Sequence, residues 1–224
     1  MAKVNAKPRI ALIHATPVAI EPIKAALDAA WPEAEAMNIL DDSLSPDRAV
    51  AAEIPPLLAE RIVDLAHYAR KSGADGILFS CSAFGSAIES AARMLDVPVL
   101  KPNEAMFEAA IEHGRNNAMI VTFAPARAGM EDEFAGQAVQ LRSDAQLTSF
   151  VVEPAMAALR QGDADTHNRL VAAKARELVN FDAIVLAHFS TARAASAVRE
   201  LVNIPVLSSP EAAVAKLRRL MRGT

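Results

Sequence analysis

The chain is poor in cysteine, tryptophan and tyrosine: its 224 residues include one of each. A single cysteine can form neither an internal disulfide nor a thiolate metal site, which is typical of a reducing compartment. The net charge of −4 and the shortage of aromatic rings argue against nucleic-acid binding. No apolar run approaches the roughly 20 residues that cross a bilayer. These absences predict a soluble, cytoplasmic protein with no nucleic-acid or membrane partner.

Sequence motifs of several enzyme classes are absent as well. The chain has no GxGxxG fingerprint, no Walker loop and no GxSxG elbow, so nothing local supports nucleotide binding or serine hydrolase chemistry. Its five histidines are scattered without HExxH spacing. We therefore expect no metal.

The chain is rich in apolar residues, at 52%, in short Ile, Val and Leu runs that alternate with longer Ala-rich amphipathic segments. This alternation is typical of β-α units around a parallel sheet and predicts an α/β fold. The predicted strands are Ile10–His14, Ala36–Leu40, Gly76–Ser80, Val97–Leu100, Ala118–Thr122, Leu147–Val152, Ala183–Ala187 and Ile204–Leu207.

The sequence also contains an internal repeat. Four pairs of matching positions share one and the same separation along the chain: Asp75 and Asp182, Cys81 and His188, Pro98 and Pro205, Glu104 and Glu211. A fifth pair, Pro17 and Pro125, departs from that separation by a single position. We therefore predict two pseudo-symmetric lobes, each a four-stranded parallel sheet flanked by helices, with the active site in the cleft between them. The lobes are residues 1–104 and 105–209, and the C-terminal helix 210–224 is a candidate to pack on the first.

Cys81 lies in "GILFSCSAFG", directly after a predicted buried strand and before a predicted helix. Ligands bind at the carboxyl ends of strands in open α/β sheets, and a helix N-terminus favours a thiolate. A free cysteine is also among the most buried residue types and behaves as a small hydrophobe. Position alone therefore leaves both a functional and a packing role open.

The two halves, with "SCSAFG" closing the third strand and "VLAHFSTARAA" closing the seventh, resemble the aspartate/glutamate/hydantoin racemase superfamily. That superfamily includes maleate isomerases and arylmalonate decarboxylases, and the resemblance runs from "RIALIHATP" to "IPVLSSPEAA". It implies cofactor-independent proton transfer at a carbon next to a carboxylate or carbonyl of a small carboxylate or hydantoin-like substrate, and a homodimer. Cys81 matches the first of two catalytic cysteines, whereas His188 stands at the second.

The substitution at His188 leaves three reactions open. A histidine can act as acid or base, so Cys81 and His188 could move a proton between the two faces of a substrate. Alternatively, His188 only hydrogen-bonds substrate, and Cys81 alone protonates an enolate, as in decarboxylation of a malonate. A Cys-His dyad for acyl transfer is a third possibility, and a small-molecule binding module is the non-enzymatic one.

Further site residues follow from the resemblance and from the other strand ends. Members that act on acidic amino acids carry polar Asn-Thr and Thr where this chain has Ser82, Ala83 and Phe189, which implies a bulkier or less charged acid. Hydroxyl groups at strand ends could bind a carboxylate or an enolate oxygen. The predicted substrate-binding residues are Thr16, Pro17, Ser82, Ala83, Thr122, Phe189 and Ser190, while His14 is either a site residue or the last residue of its strand.

Overall fold

The computed structural model describes residues 7–51 and 53–222. The beginning of the predicted first lobe (residues 1–6), residue 52, and the end of the predicted C-terminal helix (223–224) lie outside the described residues.

Eight β-strands are formed by the described residues, one at each predicted position. The two strands predicted to include a proline begin after it, because Pro98 and Pro205 have no N–H to donate to a neighbouring strand. The strands are β1 Arg9–His14, β2 Glu35–Leu40, β3 Gly76–Phe79, β4 Val99–Leu100, β5 Asn116–Val121, β6 Gln146–Val151, β7 Ala183–Leu186 and β8 Val206–Ser208.

Helices connect the strands, and short 3-10 turns precede several of them. The α-helices are α1 Ile20–Ala30, α2 Leu44–Ala49, α3 Pro56–Lys71, α4 Gly85–Met94, α5 Glu104–His113, α6 Arg127–Gln140, α7 Glu153–Arg160, α8 Ala164–Ala175, α9 His188–Thr191, α10 Ala195–Arg199 and α11 Ser209–Arg222. The 3-10 helices are Pro17–Ala19, Ser82–Phe84, Ala124–Ala126 and Ala192–Ala194.

Helix α3 shows how the local sequence sets these elements. Pro56 occupies its first turn, where a missing N–H costs no hydrogen bond. Leu58, Ile62 and Ala66 recur at helical spacing and are buried. Gly73, with a φ of 88°, follows the helix and takes the left-handed conformation in which glycine carries no steric penalty.

The chain divides into two compact units. The first runs to Pro102 and resumes at Ala213, and the second is Asn103–Ala212. Helix α11 therefore begins in the second unit, and from Ala213 onward it belongs to the first. In the first unit a side chain at Gly76 would meet Leu217 of α11 at 3.1 Å, so the absence of a side chain there allows the helix to approach β3 closely.

Each unit contains one four-stranded parallel sheet with helices on both faces, as predicted. The strand order is β2-β1-β3-β4 in the first unit and β6-β5-β7-β8 in the second, which is the same topology. One face of the first sheet packs against α3 and α4. The second sheet packs one face against α7, α8 and α10 and the other against α5 and α6. Strands β3 and β7 are buried along their whole length.

The repeated aspartates and prolines in the sequence have a structural role in strand pairing. The Asp75 carboxylate accepts the N–H of Arg9 at 2.9 Å, and the Asp182 carboxylate accepts the N–H of Asn116 at 2.8 Å. Each aspartate thus anchors the start of the neighbouring strand. The carbonyl groups of Pro98 and Pro205 accept strand N–H groups at 2.8 and 2.9 Å. The same backbone pairing in both halves accounts for these matches of the repeat.

Candidate active site

Cys81 follows β3 after one intervening residue, Ser80, at the carboxyl edge of the first sheet. Its backbone is extended, with φ −123° and ψ 122°, and it precedes the 3-10 helix Ser82–Phe84. The residue is partly exposed. Strand β1 lies beside β3, so the turn that begins at Thr16 follows the neighbouring strand at the same edge. The thiol therefore lies where ligands bind in parallel α/β sheets.

The protonation state of Cys81 differs from the sequence-based expectation. Burial raises the pKa of the thiol above its ordinary value; a hydrogen bond from the backbone N–H of Ala83 and the positive charge of Arg48 lower it by less. A backbone N–H that follows the strand does lower the pKa of the thiol, as expected. The removal of the sulfur from water raises this pKa by more. At neutral pH Cys81 is thus mainly a thiol, which can donate a proton directly.

Arg48, near the end of α2, is a part of the Cys81 surroundings that the sequence pattern did not single out. Its Nε donates to the carbonyl of Ala83 at 3.2 Å, and its Nη1 donates to the carbonyl of Ala51 at 2.6 Å. The first of these bonds attaches α2 to the turn that carries Cys81. Residues 35 positions apart form the first bond and no motif surrounds Arg48, so only the folded chain reveals the contact.

The segment that carries Arg48 is itself held by a cluster of charged residues. Arg61 of α3 donates to the carboxylates of Asp41 and Asp47, each at 2.6 Å, and to the Ser43 hydroxyl at 2.6 Å. Burial acts to raise the pKa of Asp41, but the hydrogen bonds from Ser43 and Arg61 outweigh it and lower the pKa. The short helix α2 is thus tied at its start by ion pairs and at its end by Arg48.

The remaining predicted residues of the first unit are accessible at the same edge. Thr16 is extended and partly exposed, and its side chain makes no capping hydrogen bond. Pro17 and Ala83 are exposed, and Ser82 is partly exposed. With Cys81 they follow the two neighbouring strands β1 and β3, so the structure brings these five predicted residues to one edge.

His188 follows β7 and has an unusual backbone. Its φ is 67°, in the left-handed region that costs a residue with a Cβ about 1 kcal/mol or more. The Nε2 atom of its ring is buried and has no hydrogen-bond partner. Burial lowers the pKa of His188 to about 4. The imidazole is therefore neutral at physiological pH and holds one unused ring nitrogen, and both features are typical of functional sites.

Cys81 and His188 are equivalent in the repeat but differ in backbone conformation. Strands β3 and β7 begin at Gly76 and Ala183, which have the same separation as Cys81 and His188, so the repeat register holds through the strands. Cys81 is extended, whereas His188 is left-handed and begins α9. The two halves therefore diverge at the residues that the resemblance assigns to catalysis.

Among the predicted residues of the second unit, only Ser190 shares partial exposure with His188. Phe189 is buried at 3% exposure. Thr122 is also buried, and its hydroxyl pairs with the Thr191 hydroxyl at 3.1 Å. The Thr122 hydroxyl is thus used within the interior, and this placement argues against the predicted substrate contact.

The fifth match of the repeat is also assigned differently by the structure. The 3-10 helices that follow β1 and β5 begin at Pro17 and Ala124, which have the common separation of the other four pairs. Pro17 is therefore equivalent to Ala124 rather than Pro125, and Thr16 is equivalent to Phe123 rather than Thr122. Phe123 is 40% exposed, and the guanidinium of Arg160 lies 5.8 Å from the centre of its ring.

Within the described parts of the chain, no group of three or more His, Cys, Asp or Glu residues could hold a metal ion. Over the same residues, no helix is long and apolar enough to cross a membrane.

Comparison with known protein families gives a match over residues 13–180 to the model described as Asp/Glu/Hydantoin racemase. The chain belongs to this family. Membership makes it an enzyme of the racemase type, an isomerase. The matched segment includes Cys81 and ends before His188, so the departure at His188 lies outside it. Comparison with curated proteins gives no significant match.

Solved structures of racemases have the same fold. An allantoin racemase from Klebsiella pneumoniae matches with a TM-score of 0.70 and 19% identity, over 96% of this chain and 88% of that chain. An aspartate racemase from Picrophilus torridus matches with a TM-score of 0.71 and 16% identity, over 96% and 94% of the two chains. A liganded variant of arylmalonate decarboxylase matches with a TM-score of 0.67 and 18% identity, over 96% and 93%. At these identities the likeness concerns the fold.

Proposed function

We propose that this racemase-family enzyme transfers a proton, without a cofactor, at a carbon next to a carboxylate or carbonyl group. Cys81 is the acid/base residue, and His188 takes the place of the family's second cysteine. The observation that carries the proposal is the position of the only cysteine of a racemase-family chain: the carboxyl end of β3, partly exposed, with the Ala83 N–H and Arg48 beside it. The pairing with His188 rests on the register of the repeat.

The protonation states define what each residue contributes at neutral pH. The raised pKa of Cys81 leaves a small thiolate fraction to remove an α-proton, and the abundant thiol returns a proton to carbon. His188 is neutral, so its ring donates one hydrogen bond to a developing enolate oxygen more readily than it supplies a full proton. This asymmetry predicts that α-hydrogen exchange with solvent is faster than inversion of configuration.

The substrate that this site suits best is a small carboxylate or hydantoin-like compound. Arg48 supplies positive charge close to Cys81, which attracts a carboxylate. Ala83 adds no polar group beside the thiol, in agreement with a bulkier or less charged acid than free glutamate. The homodimer implied by the resemblance and the cytoplasmic location predicted from the composition remain predictions.

The decisive experiment is hydrogen exchange in deuterated water. Amino acids, hydantoins and related acids of one configuration are incubated with the enzyme, and both α-deuterium content and optical rotation are followed. We expect deuterium incorporation that disappears in Cys81→Ala. Absence of exchange across the panel would reject the proposed proton transfer.

Two variants of His188 test its role. His188→Asn keeps a side chain that tolerates the left-handed backbone and removes the imidazole. His188→Cys restores the second thiol, and we expect it to raise the ratio of inversion to exchange. His167→Asn is the matched control, because His167 is also buried with an unpartnered Nε2, in the same unit. If His167→Asn changed the ratio of inversion to exchange as much as His188→Asn does, His188 would have no special role in the reaction.

A second reaction, decarboxylation of a substituted malonate, is favoured by one specific observation. Cys81 is mainly protonated and His188 is neutral, so Cys81 is a proton donor and neither of the two residues is a strong base in its main form. In this reaction the bond between the α-carbon and one carboxylate breaks and carbon dioxide leaves. The electron pair forms an enediolate, Cys81 donates its proton to carbon, and water reprotonates the thiolate. Carbon dioxide release that survives His188→Gln would select this reaction.

Acyl transfer by a Cys-His dyad has no such support. The dyad needs the thiol and the imidazole within hydrogen-bond reach of each other. The reactivity of the Cys81 thiol distinguishes a non-enzymatic binding module from an enzyme. Failure of Cys81 to react with iodoacetamide at any accessible pH would favour binding or packing over catalysis.

A further inference from the structure

A chain of three polar side chains links three neighbouring strands of the first unit. His14 ends β1, Asn38 lies in β2, and Ser80 follows β3. The Nε2 atom of His14 lies 3.0 Å from Asn38 Oδ1, and its Nδ1 lies 2.9 Å from Ser80 Oγ. The exposure of His14 is 0%, so both ring nitrogens are satisfied inside the protein.

The hydrogen bonds fix the direction of each donor. Asn38 Oδ1 can only accept, so the Nε2–H of His14 donates to it. Burial lowers the pKa of His14 and the bond to Asn38 raises it by less, so the ring is neutral and its Nδ1 is an acceptor. The hydroxyl proton of Ser80 is therefore directed to His14, which holds the Ser80 side chain in one rotamer.

Ser80 immediately precedes Cys81, and successive residues of an extended chain point to opposite faces of the sheet. Cys81 packs on the face covered by α3 and α4. Ser80 points the other way, to His14, while its N–H donates to the Ile13 carbonyl at 2.9 Å. A displacement of Ser80 would therefore be transmitted through one peptide unit to the position of the Cys81 sulfur.

The equivalent positions of the second unit lack this network. Strand register relates His14 to Val121, Ser80 to Ala187 and Asn38 to Ser149. Two of these residues are apolar, and the Ser149 hydroxyl is buried without a hydrogen-bond partner. The network is thus present in the first unit, which carries the thiol, and absent at the equivalent positions of the second unit, although the two sheets have the same strand order.

We propose that His14 is a positioning residue for Cys81, which it acts on through the Ser80 hydroxyl; the inference rests on the proposed role of Cys81 as the reactive group. Its neutral ring fixes Ser80 on one face of the sheet, and the Arg48 bond to Ala83 fixes the turn on the other side of Cys81. The thiol is held from both sides along the chain.

The test measures the alkylation rate of Cys81 by iodoacetamide as a function of pH. Cys81 is the only cysteine, so the modified protein reports this one thiol. The variants are Ser80→Ala, His14→Leu and His14→Gln, whose amide has one donor and one acceptor group to replace the ring nitrogens. The control is His167→Leu, which removes an equally buried histidine from the second unit. Urea unfolding of each variant is measured in parallel.

We expect Ser80→Ala and His14→Leu to change the alkylation rate that Cys81 reaches at high pH by at least about fivefold, or to move the midpoint of the pH–rate profile by at least about half a pH unit. The alkylation rates of His14→Gln and His167→Leu should stay within about twofold of the rate of the wild-type protein. Folded Ser80→Ala and His14→Leu proteins with unchanged profiles would overturn the proposal, as would an equal change in His167→Leu. If His14→Leu does not fold, Ser80→Ala decides, because it removes only one hydroxyl group.

The outcome is separable from that of the proposed function. Changed alkylation profiles without any α-hydrogen exchange would support the positioning role and reject the proton-transfer reaction. Unchanged alkylation profiles together with Cys81-dependent α-hydrogen exchange would reject the positioning role and support the proton-transfer reaction. A thiol that iodoacetamide fails to modify at every pH would overturn both.

Discussion

The neutral state of His188 predicts how the stability of the protein depends on pH. The folded pKa of about 4 lies below the ordinary value of 6.5 because the ring is buried. Between these two values the unfolded chain binds the proton and the folded chain does not. The contribution of His188 to the free energy of unfolding is therefore complete above about pH 6.5, falls as the pH falls, and is lost below about pH 4.

The size of this effect follows from the shift. Each pKa unit corresponds to about 1.4 kcal/mol, so the shift from 6.5 to about 4 amounts to about 3 kcal/mol of unfolding free energy. The Nε2 atom has no partner that could compensate a charge on the ring. His14 and His167 also have pKa values lowered by burial and change stability in the same direction. Both are retained in a His188 variant, so their contributions cancel in the comparison.

His188→Asn is the informative perturbation, because asparagine tolerates a φ of 67° and does not titrate. Urea unfolding is measured for both proteins at about pH 7 and about pH 4.5. We expect the unmodified protein to lose about 2 to 3 kcal/mol more than the variant over this interval. NMR titration of the His188 ring should give a midpoint near 4.

Two results would refute this reasoning. If both proteins lose the same free energy between the two pH values, burial of the neutral ring is not what holds His188 uncharged. If the ring titrates near 6.5, the imidazole is protonated in a large fraction of molecules just below neutral pH. His188 would then be available as a general acid, and the prediction that exchange outpaces inversion would fail.

Two further predictions concern the second-unit strands and the Cys81 turn. Gly114→Ala should destabilise the protein by about 2 to 4 kcal/mol in urea unfolding, because a Cβ there would lie 2.3 Å from the Asp182 carboxylate that anchors β5. Gly136→Ala, in α6 with nothing within 4 Å of the added atom, should instead stabilise by about 0.5 to 1 kcal/mol; equal effects would contradict the steric argument. Arg48→Gln should raise the pKa of Cys81 further, as a higher alkylation midpoint, since it removes a nearby positive charge. An unchanged or lower midpoint would show that Arg48 does not influence the thiol.

Much of the fold could be predicted from the chain because its determinants are local. Alternation of apolar runs with amphipathic segments identified all eight strands among the described residues, with errors of one or two residues at their ends. The internal repeat anticipated two sheets with the same strand order, since Asp75 and Asp182 make the same backbone contact in both. The exception was Pro125, a chance match one position from the true register.

The candidate site was only partly predictable, because its environment comes from residues distant in sequence. The position of Cys81 at a strand end followed from the sequence, but its raised pKa did not, since burial depends on the packing of other segments. Thr122 looks like a site hydroxyl until Thr191, 69 residues away, is seen to pair with it. Arg48 carries no sequence signal at all.

By itself, then, the sequence determined the α/β class, the duplication and the location of the single thiol, because periodicity, spacing and composition can be read along the chain without knowing how it packs. Only the tertiary structure decided that His14 is bonded through both ring nitrogens, that Arg48 reaches the turn beyond Cys81, and that His188 adopts a left-handed backbone with an unpartnered ring nitrogen. Those features depend on which side chains lose water and which distant groups replace it, and that is settled when the strands and helices pack.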